Sequence, residues 1–473
     1  MRTRCAAVMR QQRLRQQRYA VTTTTLTMDE VVEHPRIKPV ARRVVLIGAL
    51  IILLDGFDTQ AIGFAATALS RDLSIEISQL GIVFSAALIG ALIGALVLSP
   101  LADRFGRKPI ILFTVGVFGL FTLLTVFATS LEMLCALRLL AGVGLGGATP
   151  NVISHCVEYV PPRRRGWVVG LLYAGFPAGG LVGASVSALI LPVWGWKPLF
   201  VIGGLLPLAI IPLVLWLSPE SLQFLAAKPQ RAAQLRHLLQ RLLPGVSIAA
   251  AAPAEAGTAR RSALSEVFAA GGIDGSVLLW IPFFMILLLL VTMVLWTPTL
   301  LQQSGMEASR SVLVVGLINL GSALGNLWAG RMIDRFGPFR VVPSVIVAGA
   351  ACLAPMGSLL QLPGLLAACA IGAGFFIGAS GAGIMTLSAA WYPAHVRATG
   401  FGWAYSVGRL GQLVGPLVPG GLLALGLGVP AIFLLTFVPA VLAAVAALAL
   451  WRLPRAAAVD RQRQTGFSMP QTH

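Results

Sequence analysis

The chain has 473 residues, 57% of them hydrophobic and only 11% charged, and its mean hydropathy is +0.85. A soluble domain carries about a quarter of its residues charged, so a bilayer is the expected solvent. The formal net charge of +18 does not mark a nucleic-acid partner, because Lys and Arg lie in short segments between apolar runs rather than on one compact basic face.

Residues 1–43 are basic and polar, with Arg2, Arg4, Arg10, Arg13, Arg15 and Arg18, and no apolar core of a signal peptide follows them. They read as a disordered cytoplasmic tail, in which Met28 offers a second start. Apolar stretches of about 20 residues, each long enough to span, lie near 44–69, 79–100, 110–128, 132–156, 166–191 and 197–217. Six more lie near 277–301, 311–333, 341–360, 364–391, 398–424 and 429–451. Between the sets, 218–276 is rich in Ala and Arg and holds Pro229, Pro244 and Pro253, so it reads as a cytoplasmic linker; 452–473 forms a second tail. The expected fold class is therefore an all-α integral membrane protein of twelve transmembrane helices in two six-helix halves, 44–217 and 277–451. With both termini inside, the outer loops carry only Arg71, Lys197 and Arg310 as basic residues, a bias that fits the positive-inside rule.

The first apolar stretch carries two carboxylates near its middle, Asp55 and Asp58, separated by Gly56 and Phe57. Charge at bilayer depth is costly and marks ion or substrate routes. Desolvation brings such acids into a range where a proton can cycle, which makes Asp55 and Asp58 the candidates for proton coupling. Two cations fall at membrane depth, Arg138 nearer an outer end and Arg409 about mid-depth. A cation at this depth offers a place to an anion such as a carboxylate, and aromatic side chains offer walls to a ring. Arg409 is the first candidate for the carboxylate, with Asp55 or Asp58 as its partner when the site is empty, and Arg138 is the second. Phe57, Phe64, Tyr173, Phe176, Trp403 and Tyr405 are candidates for the ring.

Asp-Arg-Phe-Gly occurs at Asp103–Gly106 and again at Asp334–Gly337, 231 residues later and at the same place in each six-helix set. A short turn of this kind needs Gly for close backbone approach, an acid near the next helix's N-terminus and cations for the inner leaflet. Asp103, Arg104, Gly106, Arg107, Asp334, Arg335 and Gly337 are accordingly gating candidates, joined by Glu158 and Arg397.

Leu101-Ala-Asp-Arg-Phe-Gly-Arg-Lys108 resembles the signature turn G-x-L-A-D-R-x-G-R-K of the major facilitator superfamily, with Ser99 in place of the leading Gly. The resemblance covers roughly residues 40–455 and implies two halves that rock about a central site. Pro219-Glu220-Ser221 is similar to that family's segment after helix 6, although Leu222 and Gln223 depart from it. Asp55-Gly-Phe-Asp58, the run from Arg138 to Pro150, Glu158 with Arg163–Arg165, and the run from Tyr392 to Trp403 followed by Gly408-Arg409 and Gly415-Pro416 resemble the aromatic acid:proton symporter family. That resemblance implies proton-coupled import of a benzoate-like, hydroxybenzoate-like or phenylpropionate-like acid across a bacterial inner membrane by a monomer, with protons and the lipid bilayer as the other partners. The alternatives are a transporter of another organic anion, sugar or drug, and a membrane receptor.

Other features take plainer readings. Gly142, Gly144, Gly146 and Gly147 have no strand before them and no Lys-Ser/Thr after, so they serve helix packing rather than a nucleotide. His155 and His395 stand alone at helix ends as surface or capping residues, and no metal or other cofactor is expected. The five cysteines show no metal or redox spacing. Trp194, Trp196, Trp296 and Trp391 read as interfacial anchors. No nucleophile with a base appears, so no enzyme is expected.

Overall fold

The computed structural model describes residues 28–243, 264–393 and 396–454, and among these every regular element is helical. In the first half α1 is Lys38–Asp72, α2 Leu80–Phe105, α3 Arg107–Leu124, α4 Leu131–Glu158, α5 Pro162–Trp194 and α6 Lys197–Leu217. In the second, α7 is Ile273–Gln303, α8 Ala308–Phe336, α9 Pro338–Leu353, α10 Pro363–Trp391, α11 Arg397–Val414 and α12 Phe437–Arg452. Leu417–Ala424 prolongs α11, and Val429–Leu435 leads into α12. Ten of the segments are long and apolar enough to cross a membrane. The two outside that ten, α1 and α11, carry Asp55, Asp58 and Arg409.

Each half repeats one helix crossing. Gly90 and Gly94 of α2 lie against the backbone of Leu139 and Val143 of α4, while Gly142 and Gly146 of α4 lie against Ala87 and Ala91 of α2. In the second half Gly321 and Gly325 of α8 meet Ile371 and Phe375 of α10, and Gly374 and Gly378 answer from α10 against Ile318 and Ser322. Any Cβ on these glycines would strike the facing helix. Small-xxx-small spacing lets the backbones touch, which is how helices associate where lipid removes the hydrophobic drive.

Several boundaries differ from expectation. α1 starts at Lys38, with Pro39 in its first turn, and a short helix precedes it at Met28–Glu33. Val31 and Ile37 are buried in one cluster with Val44 and Tyr159, so residues 28–43 are not a loose tail: apolar packing holds them on the first half. Part of the linker is also structured, with helices at Leu222–Ala226, Ala232–Leu242 and Leu264–Gly271. Leu235 and Leu239, one turn apart, bury the same face of the middle helix in that cluster. The eleventh span breaks at Gly415 and Pro416, whose carbonyls accept from Thr292 Oγ1 at 3.0 Å and Trp296 Nε1 at 2.9 Å.

The contacts that join the halves gather at the end opposite the Asp-Arg-Phe-Gly turns. Ser85 Oγ of α2 donates to the Leu413 carbonyl at 3.0 Å, Ser309 Oγ of α8 to the Ala188 carbonyl at 3.0 Å, and Thr67 Oγ1 of α1 to Gln302 Oε1 at 2.5 Å. At the end of the turns, α5 and α11 instead face open space. Gly166 and Gly170 of α5 and Gly402 of α11 have nothing within 4 Å of where a Cβ would stand. Tyr173 continues that face of α5, and Ser406 and Arg409 continue that of α11.

Candidate functional site

The two acids of α1 look in different directions. Gly56 lets α1 press against α5, where the Phe176 Cα is 2.9 Å from its would-be Cβ. Asp55 is buried and turns towards α4: its Oδ2 accepts from Thr149 Oγ1 at 2.5 Å and its Oδ1 from Thr59 Oγ1 at 3.2 Å. Asp58 turns into the first half. Its Oδ2 lies 3.5 Å from Arg138 Nη1, and Arg138 is only 2% exposed. Arg138 Nη2 donates to Thr122 Oγ1 at 3.1 Å and Thr125 Oγ1 at 2.8 Å, and its guanidinium sits 5.1 Å above the Phe200 ring. No hydrogen bond of ordinary length reaches either Asp58 oxygen among the described residues, so charge holds the pair.

This corrects two expectations. Arg138, the second candidate for the substrate's carboxylate, is spent on Asp58 inside the first half. Asp58 in turn is not a partner of Arg409. Residues three apart share a helix face only loosely, and the crossings of α3, α4 and α6 decide which neighbour each acid meets.

Arg409 faces the gap between the halves. It is half-buried, its guanidinium lies 5.4 Å from the Tyr405 ring, and its charge acts on Asp55 of α1 and on Tyr173 of α5. One cation of the second half thus lies within electrostatic reach of one acid and one phenol of the first, with no ion pair to Asp55 among the described residues. Of the proposed ring contacts, Tyr173 and Tyr405 belong to this group, and Phe176 lies on α5 beside Gly56. Phe57 and Phe64 do not belong: both are buried in the apolar cluster that joins the two halves, where Gly183 of α5 packs against their rings. Trp403 points to α7 instead, its ring stacked on Trp280 at 6.4 Å.

The two matching turns are built differently. Gly106 (φ 117°) and Gly337 (φ 82°) both adopt backbone that favours glycine. At the first turn Arg107 pairs with Asp103 at 2.8 Å and with Glu158 at 3.5 Å, and Glu158 accepts a short hydrogen bond from Ser221 Oγ. Glu220 Oε1 takes the backbone N–H of Lys108 at 3.1 Å, capping α3. Tyr159 donates to the Glu220 carbonyl at 2.5 Å; burial raises its phenol well above the usual range, which keeps it a donor. Arg104 is exposed and contributes its carbonyl, which accepts from Lys228 Nζ at 2.5 Å. At the second turn Pro338 opens α9 and has no N–H to cap. Asp334 and Arg335 are exposed, and Asp334 makes no ion pair among the described residues. Arg397 donates to the Tyr392 carbonyl at 3.3 Å.

Other expectations meet corrections as well. His155 is not a surface residue: it is buried, with Nε2 2.9 Å from Ser218 Oγ at the end of α6. His395 lies outside the described residues. Trp196, Trp296 and Trp391 are internal, donating to Asp72 Oδ2, the Pro416 carbonyl and the Gly271 carbonyl. Each indole N–H found a protein acceptor, which outweighs the interface preference. Trp194 alone of the four is exposed. No group of three His, Cys, Asp or Glu able to hold a metal occurs among the described residues. Thr59, Thr149, Gln60 and Asn319 are not among the candidates expected from sequence, and Glu220 enters there only within a family segment; Gln60 and Asn319 are detectable as uncharged polar residues deep within apolar spans.

Two six-helix halves joined at one end, with ionisable groups of both meeting between them, define a secondary transporter of the rocking type. The family model described as Major Facilitator Superfamily matches residues 48–359 and 313–469, and the chain belongs to that superfamily. A gallate transporter of Pseudomonas putida is 38% identical over 403 residues, 85% of this chain and 89% of the relative. A 4-hydroxybenzoate transporter of Acinetobacter baylyi is 35% identical over 436 residues, 91% of this chain and 95% of that one. Within the superfamily the chain thus groups with the aromatic acid:proton symporter family, as its motifs imply. The crystal structure of a D-xylose-proton symporter, 18% identical, superposes with a TM-score of 0.67 over 87% of this chain and 97% of its own, which supports the fold alone.

Proposed function

We propose that this chain imports an aromatic carboxylic acid, benzoate-like, hydroxybenzoate-like or phenylpropionate-like, by proton symport with alternating access. The observation that carries the reading is the placement of Arg409, on α11 of the second half, within electrostatic range of Asp55 on α1 of the first. A guanidinium offers a carboxylate a planar fork, and Tyr405 and Tyr173 offer walls to a ring. When substrate takes Arg409, that charge is no longer free to favour the carboxylate form of Asp55. Entry of the anion and uptake of a proton are then linked, as symport demands. Asp58 is committed to Arg138, so Asp55 is the carrier of the two. We place the protein in a bacterial inner membrane as a monomer, both termini cytoplasmic, with the turns on the cytoplasmic side. On that placement the state described here is closed to the outside and open inward. No cofactor enters the cycle.

The test is uptake of radiolabelled benzoate and 4-hydroxybenzoate into proteoliposomes under an imposed pH gradient. Accumulation that collapses when the gradient is dissipated is expected. Uptake of neither acid, or accumulation indifferent to the gradient, would overturn the reading.

A further inference from the structure

Gln60 of α1 and Asn319 of α8 are both buried, and each amide gives to and takes from the other across the halves. Gln60 Nε2 donates to Asn319 Oδ1 at 3.2 Å, and Asn319 Nδ2 donates to Gln60 Oε1 at 2.7 Å. Asn319 also donates to the Val315 carbonyl at 3.1 Å. Gly180 of α5 lies directly against the Gln60 side chain, so the amide is held from behind by its own half. Along α1 this is the first hydrogen bond between the halves past Asp55; the next is Thr67 to Gln302. The pair therefore forms a polar layer of the closed end that lies past Asp55 along α1 and before Thr67.

Alternating access cannot leave this layer intact. Opening the closed end parts α1 from α8, removes each amide's partner and turns both towards the path by which substrate enters. Buried polar groups without partners are expensive. Water satisfies them while the path is open; as it closes, either the pair re-forms or a polar group of the substrate takes the place of one partner. A hydroxyl both donates and accepts, so it can serve either amide. Gln60 stands five residues past Asp55, about 7.5 Å further along the axis of α1 towards the closed end, so a ring whose carboxylate lies at the level of Asp55 has its far edge at the level of the amides.

We infer that Gln60 and Asn319 select aromatic acids that carry a ring hydroxyl, exchanging their mutual hydrogen bonds for bonds to that hydroxyl as substrate is taken up. The inference rests on the proposed import of aromatic acids and adds to it the residues that read the ring. A pair that served only as a latch between the halves would slow every substrate alike. A pair that reads the hydroxyl changes the ratio between substrates.

The experiment measures kcat/KM for 4-hydroxybenzoate and for benzoate in proteoliposomes, for the unaltered chain and for the double variant Gln60→Leu with Asn319→Leu. Replacing both amides leaves no orphaned polar group and keeps the contact apolar. The unaltered chain is expected to prefer 4-hydroxybenzoate, and the double variant to lose about tenfold or more of that preference. Should the double variant fail to insert, Asn319→Ser, which shortens the reach while keeping a polar group, is read by the same ratio. An unchanged ratio in the variant, whatever happens to the rates, overturns the inference. Uptake of both acids without preference by the unaltered chain overturns it too, while leaving import of aromatic acids standing. Uptake of neither overturns the functional reading and the inference together.

Discussion

Removing Arg138 alone, and then together with Asp58, separates a structural ion pair from a proton path. Arg138 holds Asp58 by charge at 3.5 Å, is anchored by two threonine hydroxyls and lies over Phe200. Arg138→Met leaves Asp58 buried and without a countercharge, and breaking a buried pair from one side costs about 3–5 kcal/mol. Total stabilities of about 5–15 kcal/mol make that a large fraction. Arg138→Met with Asp58→Leu removes both charges. It leaves Thr122 and Thr125 without Arg138, but Thr125 already donates to the Phe121 carbonyl at 2.9 Å, so the residual cost is about 1 kcal/mol. The single variant should therefore express poorly and melt early in detergent, and the double should regain most of the loss and still accumulate substrate. Thermal unfolding followed by size-exclusion, with uptake measured on the same preparations, reads both. A double variant as unstable as the single refutes the structural account. A stable double variant that exchanges substrate but no longer accumulates it makes Asp58 the proton carrier and sinks the assignment to Asp55.

Three further outcomes follow from the same geometry. Asp55→Asn should abolish accumulation driven by a pH gradient while sparing exchange of labelled for unlabelled substrate; full accumulation would remove Asp55 from the coupling step. Arg409→Ala should weaken substrate binding by roughly 2–5 kcal/mol and Arg409→Lys by less, because a point charge replaces a fork; unchanged affinity in a folded Arg409→Ala protein would end its role. Gly106→Ala puts a Cβ on backbone at φ 117° and 2.5 Å from Glu220 Oε2, for a loss of at least about 1–2 kcal/mol, whereas Gly166→Ala, with nothing within 4 Å, should change the melting point little. Equal melting points for the two would mean that the first turn can relax.

The sequence made the architecture legible because both of its signals are local. An apolar run of span length announces a helix whatever it packs against, and Asp-Arg-Phe-Gly at an offset of 231 residues announces the duplication. The matching pairs Gly90/Gly94 and Gly321/Gly325 keep that offset, so even the repeated crossing was written in the spacing. The site was legible only as a set of expensive residues. That Asp55, Asp58, Arg138 and Arg409 matter followed from charge at membrane depth, but which acid meets which cation depends on how α1 is rotated against α4, α5 and α11. Three buried tryptophans and His155 show the same limit from the other side: a polar edge on a bulky ring is equally at home at an interface or against an internal carbonyl, and only the packing chooses.

The unequal turns bear on how the halves move. Asp103, Arg107, Glu158, Lys108, Glu220 and Ser221 form one connected network, and all of it belongs to the first half and the segment that follows α6. Rocking of one half against the other does not break contacts inside a half, so in the state described here this network holds the first half rigid. It does not bar the path. The bar is at the other end, in the hydrogen bonds of Ser85, Thr67, Ser309 and the Gln60–Asn319 pair, each of which crosses between halves. For Asp103 to act as a gate it must gain a partner in the second half when the path closes beneath it. Asp103 is exposed enough to do so, with 69% of its side chain accessible. Asp103→Asn should then alter the rate of turnover more than the half-saturation concentration, since it shifts the balance of states and touches no substrate. A change confined to the half-saturation concentration would place Asp103 at the substrate instead and leave the inner closure to other contacts.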